Sequence, residues 1–162
     1  MTVISTTPDA GTLTLTVVAD LTAATERAWQ LWVDPRQLEQ WWGPPTWPAT
    51  FVQHDVVVGG RSEYHMTGPD GQTTHGWWRF LALDEPGSLE FEDGFADAAG
   101  VPDPAMPTIH FTVELQETAA GTRMTVTSQF ATLQQMDQLI TMGMAEGLTL
   151  AMGQIDQILA VA

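Results

Sequence analysis

The chain has 162 residues, 44% apolar and 15% charged, a globular balance in a chain long enough to bury about 70% of the surface its unfolded form exposes. Its 20 acidic residues face only five bases, all arginine (Arg27, Arg36, Arg61, Arg79 and Arg123), for a net charge of −15; such a surface repels phosphate backbones and anionic membranes, so no nucleic acid is expected as a partner. Cysteine is absent, which excludes disulfides, thiolate catalysis and zinc–thiolate sites.

The first stretch, Met1–Gly11, is rich in Ser, Thr and Pro. It has neither a basic start nor an apolar core, so it reads as a loosely ordered extension and not as a signal peptide. No apolar run approaches the ~20 residues that cross a bilayer, so no membrane insertion is expected and a cytoplasmic location is the default. Alternation at Leu13, Leu15 and Val17 predicts a strand over Gly11–Leu21. Helix formers follow over Thr22–Val33 and stop before Pro35. A short helix over Arg36–Trp42 ends at Gly43-Pro44-Pro45. Six more strands are predicted over Thr50–Val58, Arg61–Thr67, His75–Leu83, Ser88–Phe95, Thr108–Glu117 and Thr122–Phe130, separated by turn signals such as Gly59-Gly60 and Gly68-Pro69-Asp70-Gly71. Thr132–Ala160 carries Met, Leu and Ile at helical spacing. Hairpin-linked strands make an antiparallel sheet, and a long amphipathic helix must bury its apolar stripe against it. The expected class is α+β: a curved sheet of about seven strands around a long C-terminal helix, with a pocket where the two do not fill the space between them. All 162 residues are expected to form one domain.

A two-residue turn at Gly59-Gly60 would make Asp55 face Tyr64, Gln53 face Met66 and His54 face His65. Phe51, Gln53, Asp55, Tyr64 and Met66 then look inward, and both histidines look outward. A one-residue bulge would reverse this assignment. On this register Asp55 with Tyr64 forms a candidate acid–base pair, although a structural hydrogen bond that satisfies a buried carboxylate explains the same pattern. The two histidines alone are too few for a metal site, so no metal and no cofactor are expected.

Seven tryptophans are an unusual load. Trp78 and Phe80 share one strand face, opposite Trp77 and Arg79, and of two adjacent tryptophans one lines a cavity rim or a partner surface. On the final helix Gly143, Gly147 and Ala151 form a stripe of small residues. Each glycine within a helix costs about 1 kcal/mol relative to alanine, so the stripe serves close approach to the sheet or leaves room for a ligand. Met144 and Leu148 run beside it. The expected ligand-binding set is therefore Trp42, Phe51, Gln53, Asp55, Tyr64, Met66, Trp78, Phe80 and Phe111 with Met144, Gly147, Leu148 and Ala151.

Several motifs occur in a fixed order: Asp34-Pro35, Leu38 and Trp41-Trp42-Gly43-Pro44; Asp55-x-x-x-Gly59-Gly60; Met66-x-Gly68-Pro69-Asp70-Gly71; Gly76; Gly121-Thr122-Arg123; Gly143-Met144-x-x-Gly147; and Ile155-Asp156-x-Ile158-Leu159. As an ordered set they resemble the activator-of-heat-shock-protein-90-ATPase homologues, a branch of the START-like (polyketide cyclase and lipid-transport) superfamily. The resemblance covers about Leu13 to Leu159. It implies a helix-grip fold with a pocket between sheet and final helix. Relatives often carry Arg at Val57 and Glu at Phe80, so the inferred concave face is more apolar here. The leading expectation is binding of a small hydrophobic or aromatic molecule in a cavity of roughly 300–1,000 Å³. One alternative is a protein-interaction module of the co-chaperone kind, supported by the acidic surface and surplus tryptophans. Another is a cyclase, dehydratase or hydrolase working through Asp55 and Tyr64. A basic protein partner and a homodimer are both compatible with the composition.

Overall fold

A computed structural model describes residues 3–160. Eight strands form one antiparallel sheet in the order β1-β2-β8-β7-β6-β5-β4-β3. They are β1 (Val3–Asp9), β2 (Thr14–Leu21), β3 (Ala49–His54), β4 (Arg61–Thr67), β5 (Thr73–Asp84), β6 (Ser88–Ala96), β7 (Ile109–Thr118) and β8 (Gly121–Gln129). Two helices, α1 (Thr25–Val33) and α2 (Pro35–Leu38), follow β2, and three more close the chain: α3 (Leu133–Thr141), α4 (Met144–Met152) and α5 (Ile155–Ala160).

Alternation explains the core. Leu15, Val17, Ala19 and Leu21 of β2 and Met124 and Val126 of β8 point to one side and are buried. So are Leu89 and Phe91 of β6 and Phe111, Val113 and Leu115 of β7. An aromatic cluster sits among them. Trp32 of α1 meets Trp41 at 4.7 Å between ring centroids, and Trp78 stacks on Phe91 at 3.9 Å. Its N–H groups are unevenly served: Trp41 Nε1 donates to the Leu31 carbonyl at 2.9 Å, whereas Trp42 Nε1 and Trp78 Nε1 are buried without a hydrogen-bond partner.

Four expectations are corrected. Most of the supposed N-terminal extension is an edge strand: β1 pairs with β2, and Thr6 Oγ1 lies 2.8 Å from Thr149 Oγ1 of α4. The sheet therefore has eight strands, not seven. The short helix ends at Leu38, because the chain turns there to bury Trp41 and Trp42. The final helix is three segments, not one. Gly143 takes φ of 96°, a left-handed conformation that glycine adopts without strain; it ends α3 and restarts the chain as α4. The second break falls at Gly153-Gln154, where the Gln154 side chain donates to the Gly43 carbonyl at 2.7 Å.

The register of β3 on β4 is also different. Phe51 faces Tyr64 and His54 faces Ser62, with a bulge between Phe51 and Gln53. The connection is not a two-residue turn. It spans 55–60 and folds over the sheet, so that Gly59 N donates to the Phe80 carbonyl at 2.8 Å and Phe80 N to the Gly60 carbonyl at 3.0 Å. A side chain at Gly60 would meet the Asp55 carbonyl, so the close approach requires glycine. The bulge leaves Val52 and Gln53 both exposed and turns His54 inward, opposite to expectation. His54 Nδ1 lies 2.7 Å from Ser62 Oγ and Nε2 lies 2.8 Å from the Trp32 carbonyl. Burial holds its pKa below the usual histidine value, and its ring packs on Phe51, Trp78 and Phe80. His65 instead neighbours His75 across β4 and β5, at 5.9 Å. Among the described residues no cluster of His, Cys, Asp or Glu is suited to a metal ion.

Candidate functional site

A cavity of about 310 Å³ lies between the sheet and the first two segments of the C-terminal helix. The sheet supplies Tyr64 and Met66 from β4, Thr74 and His75 from β5, Asp93 and Phe95 from β6, and Ile109 and Phe111 from β7. The helical side supplies Leu139, Met142, Gly143, Met144, Gly147 and Leu148. Trp42 and Pro44, from the turn after α2, complete the lining. The break between α3 and α4 therefore falls on the cavity wall, with Met142 largely exposed beside it.

The polar end of the cavity is a pair of residues. Tyr64 Oη donates to Asp93 Oδ1 at 2.6 Å, a short bond to a carboxylate. A glycine makes it possible. Tyr64 sits opposite Gly76 of β5, and a Cβ at Gly76 would lie 2.3 Å from the Tyr64 ring. Without that Cβ the ring lies flat across β5 and reaches the next strand. Burial raises the Asp93 pKa to about 7, against the partial relief given by Tyr64 and Trp78. Burial, then the Asp93 charge, raises the Tyr64 hydroxyl well above its ordinary value. Trp78 Nε1 is close enough to act on both groups, but its geometry falls short of a hydrogen bond. The Asp93 residue keeps some accessible surface although its carboxyl lies deep; that surface faces the cavity.

Of the residues expected to bind a ligand, Trp42, Tyr64, Met66, Phe111, Met144, Gly147 and Leu148 come together on this cavity. Phe51, Trp78, Phe80 and Ala151 are buried in the core behind it. Gln53 and Asp55 lie outside it. Both are exposed, and Gln53 Nε2 donates to Asp55 Oδ2 at 2.9 Å. The bulge in β3 is the cause, and it leaves Asp55 no part in an acid–base pair with Tyr64. Val57 is likewise exposed on the 55–60 connection, so it adds nothing to the apolar concave face. Asp93 was missed, although the signal was present. Leu89, Phe91, Asp93 and Phe95 share one phase of β6, and an aspartate in the inward phase of an apolar strand is a buried carboxylate.

Gly147 bears on the glycine stripe. A Cβ there would meet nothing within 4 Å, so close approach to the sheet does not explain it. The empty space beside it belongs to the cavity.

No protein with a curated description matches the chain. Solved structures do. A solution structure of a protein from Arthrobacter aurescens is 47% identical, covering 99% of this chain and 94% of that one with a TM-score of 0.94. The crystal structure of protein Ms6760 from Mycobacterium smegmatis is 43% identical, covering 99% and 98% with a TM-score of 0.90. The fold, though not a close relationship, is shared with the AHSA1 protein from Silicibacter pomeroyi, at 21% identity, 91% and 98% coverage and a TM-score of 0.73. The family model described as Activator of Hsp90 ATPase homolog 1-like protein matches residues 22–160. With that span matched on the helix-grip fold, the chain belongs to the Activator of Hsp90 ATPase homolog 1-like family.

Proposed function

We propose that this protein binds a small hydrophobic or aromatic molecule in the cavity between its sheet and α3–α4. The observation that carries the reading is the cavity itself. Its volume of about 310 Å³ lies at the lower end of the range for small-molecule sites. Its walls are mostly apolar, with Thr74 and His75 of β5 as polar exceptions and Tyr64 and Asp93 as convergent polar groups joined by a hydrogen bond. Methionines at 66, 142 and 144 give part of the wall a flexible, polarisable surface that adapts to a ligand's shape.

The test uses Gly147. An alanine there adds a methyl group to open space and removes the entropic penalty of a helical glycine. Gly147→Ala is expected to stabilise the fold by about 1 kcal/mol. Gly147→Trp fills the cavity from the helix side. It is expected to fold and to lose binding of N-phenyl-1-naphthylamine, a neutral apolar fluorophore, by at least about tenfold. Urea unfolding of Gly147→Ala reads the first effect, and fluorescence titration of Gly147→Trp beside the unaltered protein reads the second. Unchanged binding by Gly147→Trp would place the fluorophore elsewhere and remove the support for the cavity as the site.

A further inference from the structure

Among the described residues, no cationic side chain pairs with the Asp93 carboxyl. Lysine is absent from the sequence, and no arginine lines the cavity. Arg123 pairs with Asp20, Arg36 with Glu39 and Arg61 with Glu63. Arg27 bonds Gln37, and Arg79 is exposed on the outward phase of β5. The other titratable groups on the cavity are Tyr64, which donates to Asp93, and His75, which forms neither ion pair nor hydrogen bond with it. His110 of β7 and Glu90 of β6 pair with each other at 2.8 Å, on the opposite phase of their strands. A buried carboxylate normally requires a partner.

The surroundings describe that partner. Trp42, Tyr64, Phe95 and Phe111 present aromatic rings to the same space, and ring faces attract organic cations. The net charge of −15 draws cations towards the protein and repels anions. Resting on the cavity as the binding site, we propose that its ligand is an organic ammonium: an apolar or aromatic skeleton with one basic amine, the ammonium paired to Asp93 and the skeleton laid against Trp42, Phe95 and Phe111. The pairing requires an ionised Asp93. Because burial raises that carboxyl to about 7, affinity for the amine is full above that value and falls as the pH drops through it.

Three probes of one shape test the inference: 1-naphthylmethylamine, 1-naphthalenemethanol and 1-naphthylacetate, titrated calorimetrically at low salt. At about pH 8 the amine is expected to bind at least about tenfold more tightly than the alcohol, and the acetate least. In Asp93→Asn the amine-to-alcohol ratio is expected to fall to about one, and in the unaltered protein at about pH 5.5 the ratio falls in the same way. If amine and alcohol bind equally to the unaltered protein at the higher pH, the ammonium is overturned while the cavity stands as an apolar site. If none of the three binds, the cavity reading fails and takes this inference with it. Amine binding that persists in Gly147→Trp and disappears in about 0.5 M salt is attraction to the acidic surface, and also overturns it.

Discussion

Asp93→Asn is expected to make the protein more stable at about pH 8, by about 2–4 kcal/mol, and to flatten its pH dependence. The sign follows from where the proton sits. An exposed aspartate titrates near 3.8, whereas burial moves Asp93 in the folded protein to about 7. Between those values the folded state holds a proton that the unfolded state has released. Stability contributed by this group is therefore present below about 4, is lost as the pH rises towards 7, and stays lost above it. A tenfold change in proton affinity corresponds to about 1.4 kcal/mol, and the roughly thousandfold change between 3.8 and about 7 sets the upper end of the range. Asparagine keeps the shape and still accepts the Tyr64 hydroxyl through its amide oxygen, so the bond survives while the buried charge does not. Urea unfolding of both proteins from about pH 4 to 8 measures the effect. The comparison between variants matters, because the remaining acidic residues also make the whole protein pH-dependent. Parallel curves for the two proteins would show that Asp93 is an ordinary solvated carboxylate.

Trp32→Ala is expected to cost about 3–5 kcal/mol, a large share of the 5–15 kcal/mol that holds a domain of this kind together. Trp32 is 1% exposed. Its ring contacts those of Trp41, Trp42, Trp78 and Phe91 at 4.7–6.3 Å. Its indole N–H points at Met124 Sδ at 3.3 Å, and its carbonyl receives His54. Removing it opens a cavity between α1 and the sheet that rigid neighbours on four sides cannot fill. Trp77→Ala is the control. Trp77 is only half-buried, covers Gly94 from the outer side of the sheet, and belongs to no ring cluster; its loss is expected to be at most about half as large. The urea midpoint reads both, and a loss below about 1 kcal/mol for Trp32→Ala would mean that the cluster is loosely packed.

The antiparallel sheet was legible from periodicity and turn signals, because β4 to β8 alternate over most of their length, despite a bulge in β5 between Phe80 and Ala82, and are joined by glycine- and proline-marked turns. The departures have local causes. β1 hides because an edge strand needs only one buried position, here Val3, and Thr and Pro elsewhere carry no apolar alternation. The bulge in β3 hides because nothing in Phe51-Val52-Gln53-His54 marks an extra residue, and the return of the 55–60 connection onto Phe80 is a contact between strands distant in sequence. One slipped residue moved Asp55 out of the cavity and His54 into the core. The breaks in the final helix were marked by glycines at 143 and 153, but a periodic apolar ridge runs through both. Asp93 needed no register at all, only the phase of its own strand.

The strand order also sets when each part of the sheet becomes available during synthesis. β3 to β8 are consecutive neighbours, so each strand meets its partner soon after it is made. β2 is the exception. Its residues 14–21 pair with 122–129 of β8, and at roughly 5–20 residues per second the ribosome takes about 5–20 s to supply that partner. Through that interval the β1–β2 hairpin carries Leu15, Val17 and Leu21 with nothing to cover them. The meander can assemble from local contacts, but the β2–β8 seam joins the two ends of the chain and belongs to the slow, non-local class of pairings. The newborn chain is therefore most exposed to aggregation before β8 leaves the ribosome and β2, made near the start, can at last be zipped onto the newest strand.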